Sequence, residues 1–224
     1  ATSATSGNSI KLPYFNAVAD NKDFTVTPRI YFNNDILIQN EYRQVEKNLN
    51  HISDFSIKKL DAGSKSHFFS NSKIDLTLNN FDTSELEINL EKTSNDTYLK
   101  SEKISNSIQS NASLLNSFVK YEAFTEDLDL SIEVAAYEDL TKEKNSDKYQ
   151  FILPSFKISK NYSPFADKIG SLKYTASGVS QKRNTNITEN YLINDFDFNS
   201  GRLFNKNGLV SSFNLFLKNV SKEG

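Results

Sequence analysis

The chain has no cysteine among its 224 residues, so neither a disulfide framework nor a thiolate metal site is available within it. Methionine is also absent, so the sequence cannot start at an initiator codon as written and reads as a processed or excised piece. Its opening, Ala1-Thr2-Ser3-Ala4-Thr5-Ser6-Gly7, lacks a basic segment and an apolar core, and any secretion signal is expected upstream. No apolar run approaches ~18 residues, which excludes a transmembrane helix. It does not exclude transmembrane strands, whose alternating signal is far weaker per segment. Neither charge sign dominates: 26 basic residues are scattered among 28 acidic ones for a net charge of -2, and no nucleic-acid surface is expected. No fixed-period repeat, low-complexity tract, nucleotide-binding motif or composition break is present. The whole chain is expected to form one sheet.

What the chain does have is alternation. Hydrophobic residues are only 37% of the total, aromatic residues are 12%, and mean hydropathy is -0.54. That is little apolar mass for a large closed core, but enough for a single layer that is apolar on one side. The clearest runs are Ile74-Asp75-Leu76-Thr77-Leu78, Leu86-Glu87-Ile88-Asn89-Leu90, Leu128-Asp129-Leu130-Ser131-Ile132-Glu133-Val134 and Phe213-Asn214-Leu215-Phe216-Leu217. In the first three, every second residue is aliphatic and those between are mostly polar or acidic, which is the two-residue period of a strand. Further strands are expected at 24–32, 36–45, 52–58, 67–78, 114–123, 150–159, 171–178 and 190–195. This makes roughly 10–12 strands, antiparallel, as a partial barrel or curved open sheet. Asn33-Asn34, Asn79-Asn80 and Lys206-Asn207-Gly208 punctuate them as turns. Longer connections are expected at 93–111, 141–148 and 199–207. Short turns mixed with long polar loops are the habit of outer-membrane barrels.

Two prolines break the first hairpin, in Lys11-Leu12-Pro13-Tyr14-Phe15-Asn16 and Thr25-Val26-Thr27-Pro28-Arg29-Ile30. Proline brings no donor to a ladder and belongs at edges, strand starts and bulges. If residues 19–22 form a four-residue turn, Pro13 faces Pro28; a turn one residue shorter or longer offsets them by one position. Either way the hairpin loses donors, each worth about 0.5–1.5 kcal/mol net when bonded. The reading is a sheet edge meant to part, set against an ordinary strand start at Pro13 and an ordinary bulge at Pro28.

The aliphatic face of Leu86, Ile88, Leu90, Leu128, Leu130, Ile132 and Val134 meets either lipid or a protein core. In a barrel those side chains point to lipid, and Glu85, Glu87, Glu91, Asp129 and Glu133 face the lumen. There the acids either discourage phosphorylated sugars from sticking or are merely solvated; they lack the spacing of a Ca²⁺ loop. His51 and His67, the only histidines, are expected at the surface or at strand ends. No convergent nucleophile, base and acid can be named, so no enzyme and no cofactor is expected.

The stretch 11–45, KLPYFNAVADNKDFTVTPRIYFNNDILIQNEYRQV, resembles the start of the barrel domain of the LPS-assembly (LptD) family, also called organic solvent tolerance proteins. The matching pieces are Leu12-Pro13-Tyr14, Asp23 leading into Thr25-Val26-Thr27-Pro28-Arg29, and Asn40 to Arg43. Asn95-Asp96-Thr97-Tyr98-Leu99 and Asn194-Asp195-Phe196 are similar to alphaproteobacterial versions. The resemblance implies the N-terminal portion of an outer-membrane barrel that inserts lipopolysaccharide into the outer leaflet. It implies a lateral gate between first and last strands, with the weakening prolines at Pro13 and Pro28. It also implies outer-membrane lipid around the barrel, a plug lipoprotein (LptE-like) in the lumen, and a periplasmic bridge reached through a jelly-roll domain. That jelly-roll and the closing strands are not in this sequence. Tryptophan is missing too, so 10 Tyr and 17 Phe have to fill any aromatic girdle. The competing readings are a passive outer-membrane channel and a soluble secreted β-sandwich or adhesin module, the latter with two sheets packed about 10 Å apart.

Overall fold

The computed structural model describes residues 7–60, 63–109, 111–165 and 170–224. The expectation for the opening segment therefore falls, apart from Gly7, outside the described residues. The chain is all-β. Its strands are β1 (Ser9–Lys11), β2 (Tyr14–Ala19), β3 (Lys22–Tyr31), β4 (Ile36–Glu46), β5 (Leu49–Leu60), β6 (Gly63–Asp75) and β7 (Thr83–Thr93), followed by one helical turn, α1 (Tyr98–Ser101). Then come β8 (Leu114–Phe124), β9 (Leu128–Asp139), β10 (Tyr149–Phe165), β11 (Gly170–Arg183), β12 (Thr188–Ser200), β13 (Leu203–Phe204), β14 (Val210–Ser211) and β15 (Asn214–Glu223).

Thirteen of these strands form one antiparallel sheet, each pairing with its chain neighbour from β3 to β12 and then with β15; β13 and β14 make a separate small hairpin. The sheet is open and curved, with β1 and β2 at one margin and β15 at the other. No second large sheet packs on it among the described residues, so the two-sheet sandwich is not the arrangement seen.

Register explains which residues share a face. Leu86 pairs with Tyr121, Tyr121 with Ile132, Ile132 with Phe156, Phe156 with Gly178, and Gly178 with Leu192. One same-face position along, Ile88 pairs with Val119 and Val119 with Val134. Pro28, Ile38 and Ile57 continue the same face toward the β1 margin. This face is bare: Ile38, Phe55, Ile57, Phe68, Leu90, Val119, Ile132, Val134 and Leu192 are all exposed. At Gly178 an added Cβ would lie 2.5 Å from the Phe156 ring, so the missing side chain is the space that the ring fills.

The opposite face is polar and partly covered. The connection from Thr93 to Leu114 folds back over β3 to β6, and Tyr98, Leu99, Leu115 and Leu140 pack with Tyr31, Leu37 and Phe69 in one small buried cluster. Burying each of these larger side chains contributes about 1.5–3 kcal/mol, enough to hold a short segment that forms only one turn of helix. The apolar core is thus an anchor for a loop. It is not the interior of the sheet.

Most expected strands and turns are present, with two differences. The alternating run 74–78 does not stay in strand: β6 stops at Asp75, whose carboxylate accepts from the Thr77 amide at 2.9 Å, and Thr77 itself turns to a φ of 50°. The third long connection, after Ser200, contains the β13–β14 hairpin, turned through Gly208 at φ 80°.

Candidate functional site

The β1/β2 margin carries the proline pair. Both short strands pair with β3: Lys11 faces Arg29 in β1, and Tyr14 faces Val26 in β2. Between them the chain breaks at Leu12-Pro13. Leu12 still donates its amide to the Pro28 carbonyl at 3.1 Å. Pro28 has no N–H to return, so the Leu12 carbonyl receives nothing from that residue. Because backbone groups alternate in direction along a strand, Pro13 turns its nitrogen to the free margin. The two prolines therefore act in different places. Pro28 removes a rung between β1/β2 and β3, whereas Pro13 removes a donor from the open edge.

The face-to-face arrangement of the prolines is corrected by the observed register. Ala19 pairs with Lys22 across a two-residue turn, and Ala17 pairs with Asp23, leaving Val18 as an extra, bulged residue. The turn alone would leave Pro13 opposite Pro28; the bulge at Val18 shifts the ladder by one, so Pro28 meets Leu12 and Pro13 falls beside Thr27.

Immediately inside this margin, the covering loop is bolted down by charge. Glu102, buried just beyond α1, receives the Tyr31 hydroxyl on Oε2 at 2.5 Å and Lys58 Nζ on Oε1 at 3.1 Å. Its backbone carbonyl accepts from the Arg29 guanidinium. Lys58 also reaches Asp35 at 3.2 Å and sits 4.1 Å over the Tyr31 ring. Further along the loop, Gln39 Nε2 donates to the Ser105 carbonyl at 3.0 Å and Ser107 Oγ to Glu41 at 2.9 Å. These contacts span β3, β4 and β5, so the loop braces the strands nearest the proline margin.

At the centre of the covered face, His67 corrects the expectation of a surface histidine. It is 2% exposed and lies between Asp54, 2.5 Å from Nε2, and Ser56, 2.7 Å from Nδ1; Ser56 Oγ in turn meets the Tyr98 hydroxyl at 2.7 Å. Asp54 also accepts Gln39 Nε2 on both oxygens, at 3.0 and 2.9 Å. Burial pushes the Tyr98 phenol up to about 12, so it stays protonated and can donate. Every group is satisfied if Tyr98 donates to Ser56, Ser56 to Nδ1 of the imidazole, and Nε2–H to Asp54. Carboxylate, imidazole and hydroxyl stand in the order of a hydrolase triad. However, Ser56 is 0% exposed and its oxygen is already taken by Tyr98, which leaves no place for a substrate. In this state the group is a clamp. Sequence reasoning missed it because Asp54 and Ser56 meet His67 only through the β5–β6 register, although their i, i+2 spacing put both on one face.

The remaining expected site residues sort by face. Leu86, Ile88, Leu90, Leu128, Leu130, Ile132 and Val134 share the bare face, and Glu85, Glu87, Glu91, Asp129 and Glu133 share the opposite one. The acids do not form a wall of one sign. Lys73 lies 3.7 Å from Glu85 and 3.4 Å from Glu87, and Lys120 sits in register between Glu87 and Glu133. Glu91 is buried and accepts from the Asn116 amide at 3.0 Å and the Asn89 side chain at 3.1 Å. Among the described residues no group of His, Asp and Glu is arranged to hold a metal ion. No protein-family model matches the chain, and neither does any curated protein.

Proposed function

We propose that this chain is part of an outer-membrane translocon, the N-terminal portion of an LptD-like barrel that inserts lipopolysaccharide into the outer leaflet through a lateral gate at the β1/β2 margin. The observation that carries the reading is the inverted polarity of the sheet. A broad apolar face is left bare across strands β4 to β12, while the polar face is the one that receives a packed covering segment. Contiguous exposed apolar surface of that extent marks a membrane or a partner surface, and closed strands with apolar outside and polar inside are one of two ways a protein spans a bilayer. The margin with a missing rung at Pro28 and a missing edge donor at Pro13 is where such a wall would part most easily.

In this mechanism no bond of the lipid is made or broken. Acyl chains leave sideways between the β1/β2 margin and a closing strand from elsewhere in the protein, while the sugars pass over the polar face. The gate rests on Pro13 and Pro28; the lipid-facing residues are Leu86, Ile88, Leu90, Leu128, Leu130, Ile132 and Val134. The partners of the reading are outer-membrane lipid, a plug lipoprotein and a periplasmic bridge.

The test replaces both prolines with alanine in the full-length protein and measures lipopolysaccharide arrival at the cell surface. The expected result is slower delivery, because the restored donors stabilise the closed seam. Unchanged delivery would remove the gate from this margin. Crosslinking of lipopolysaccharide from positions around Pro13 in cells separates the translocon from a passive channel, which gives no such adduct.

A further inference from the structure

We propose that the β13–β14 hairpin is an interfacial anchor that binds the surface of a lipid leaflet with anionic headgroups. The hairpin leaves the sheet after Ser200 and is closed at its base, where the Ser200 amide donates to the Phe213 carbonyl at 2.9 Å and the Phe213 amide donates to Ser200 Oγ at 2.8 Å. Its ladder pairs only Leu203 with Ser211 and Phe204 with Val210. So short a hairpin cannot bury its own apolar side chains. They are bare: Phe204 is 75% exposed and Leu209 65%, and Leu203, Val210 and Phe213 are exposed as well. Apolar surface concentrated in this way marks a contact surface.

Charge and continuity select what covers it. The segment 201–213 contains Arg202 and Lys206 and no acidic residue. Both cations are exposed, and neither forms an ion pair among the described residues. The adjoining β15 differs, since its Lys218 lies 3.6 Å from Asp195 and its Lys222 3.7 Å from Glu189. Apolar side chains fringed by uncompensated Lys and Arg suit the headgroup zone of an anionic leaflet, which draws on both. The hairpin also continues the bare face of the sheet. The Phe213 ring lies 5.9 Å from that of Phe198, and Phe198 pairs with Leu215 as Phe196 pairs with Leu217, on the strand face that carries Leu192. Lipid that covers Leu192 and Phe196 therefore reaches the hairpin without interruption. The hairpin itself lies past the end of β12, where acyl chains would give way to headgroups. The inference goes beyond the translocation reading and needs neither its gate nor transport.

The chain has no tryptophan, so Phe204→Trp supplies a single fluorescent reporter at a position too exposed to disturb the fold. The full chain is reconstituted in vesicles of phosphatidylglycerol and phosphatidylcholine, with bromine on the acyl chains of one lipid at a time. The expected result is blue-shifted emission quenched by brominated phosphatidylglycerol, with a preference over brominated phosphatidylcholine of at least about fivefold, the pull of one basic residue toward an anionic surface. Adding Arg202→Gln and Lys206→Gln should bring that preference to about one. Equal quenching by the two lipids before those substitutions, or a preference that survives them, overturns the anionic leaflet. Blue-shifted emission that neither lipid quenches overturns the proposal in favour of a protein cover, and emission typical of a fully hydrated indole overturns it outright. A separate reporter, Ile132→Trp, reads the bare face. Quenching at 132 without quenching at 204 removes the anchor and leaves the membrane wall standing. The reverse keeps the anchor and removes the wall, so the two failures are distinct.

Discussion

Leu12 donates its amide to the carbonyl of Pro28 at 3.1 Å, and Pro28 gives nothing back. That single one-way rung is the weak stitch of the sheet's first margin. It sits where β1 ends and the chain breaks before β2, so the defect in donors coincides with a break in the strand.

The two prolines should therefore separate when replaced singly. Pro28→Ala supplies the returning donor and is expected to strengthen the seam by about 0.5–1.5 kcal/mol, read as a protected new amide at position 28 and slower amide exchange at Leu12. Pro13→Ala adds a donor only to the free edge, and is expected to leave exchange at Leu12 unchanged while promoting self-association through that edge. Equal effects from both would mean that the backbone directions at this break are wrong.

The polarity of the faces gives a second prediction. Ile132→Lys on the bare face should destabilise the protein folded in bilayers by about 2–4 kcal/mol if it lies near mid-membrane. Glu133→Lys, one residue away on the other face, should cost well under half of that. Comparing the midpoints of reversible denaturant unfolding in vesicles decides it; similar small losses at both positions would count against lipid on the bare face.

The clamp at His67 predicts a loop effect at a distance. His67→Ala leaves the Asp54 carboxylate buried with only Gln39 as a side-chain donor among the described residues, and losing a hydrogen bond to a buried charged group costs about 1.5–3 kcal/mol. Tyr98→Phe removes one hydrogen bond and should cost about 1 kcal/mol. Both should raise hydrogen exchange and protease cleavage across 94–109, and cleavage confined to other loops would show that the clamp does not hold the cover.

Acid should loosen a second loop contact. Asp147 accepts from the Thr185 hydroxyl at 2.5 Å, and that bond holds its carboxyl below the ordinary carboxylate range. A depressed carboxylate contributes stability above its unfolded pKa and loses it as pH falls through the folded value. The contact between the 140–148 and 184–187 connections is thus expected to be intact at neutral pH and to open only at pH below the usual aspartate range. The Thr185 amide shift followed down a pH series reads it, and Asp147→Asn should flatten the curve.

Local sequence was enough for everything that follows from the two-residue period of a strand. Ile88 and Val134 could be assigned to one face and Glu87 and Glu133 to the other because each strand's side chains alternate whatever its neighbours do. Asn33-Asn34 and Lys206-Asn207-Gly208 were legible as turns for a similarly local reason, the tolerance of Asn and Gly for positive φ. Register and the return of a distant segment, in contrast, were set by the assembled fold. A bulge at Val18 moved Pro28 from Pro13 to Leu12. The β5–β6 pairing set His67 between Asp54 and Ser56, and the 94–109 segment brought Tyr98 and Glu102 onto strands some forty and seventy residues earlier in the chain, respectively. One inserted residue shifts a ladder, and a polar loop with no period of its own docks wherever buried partners meet it. Neither event leaves a mark on the local pattern.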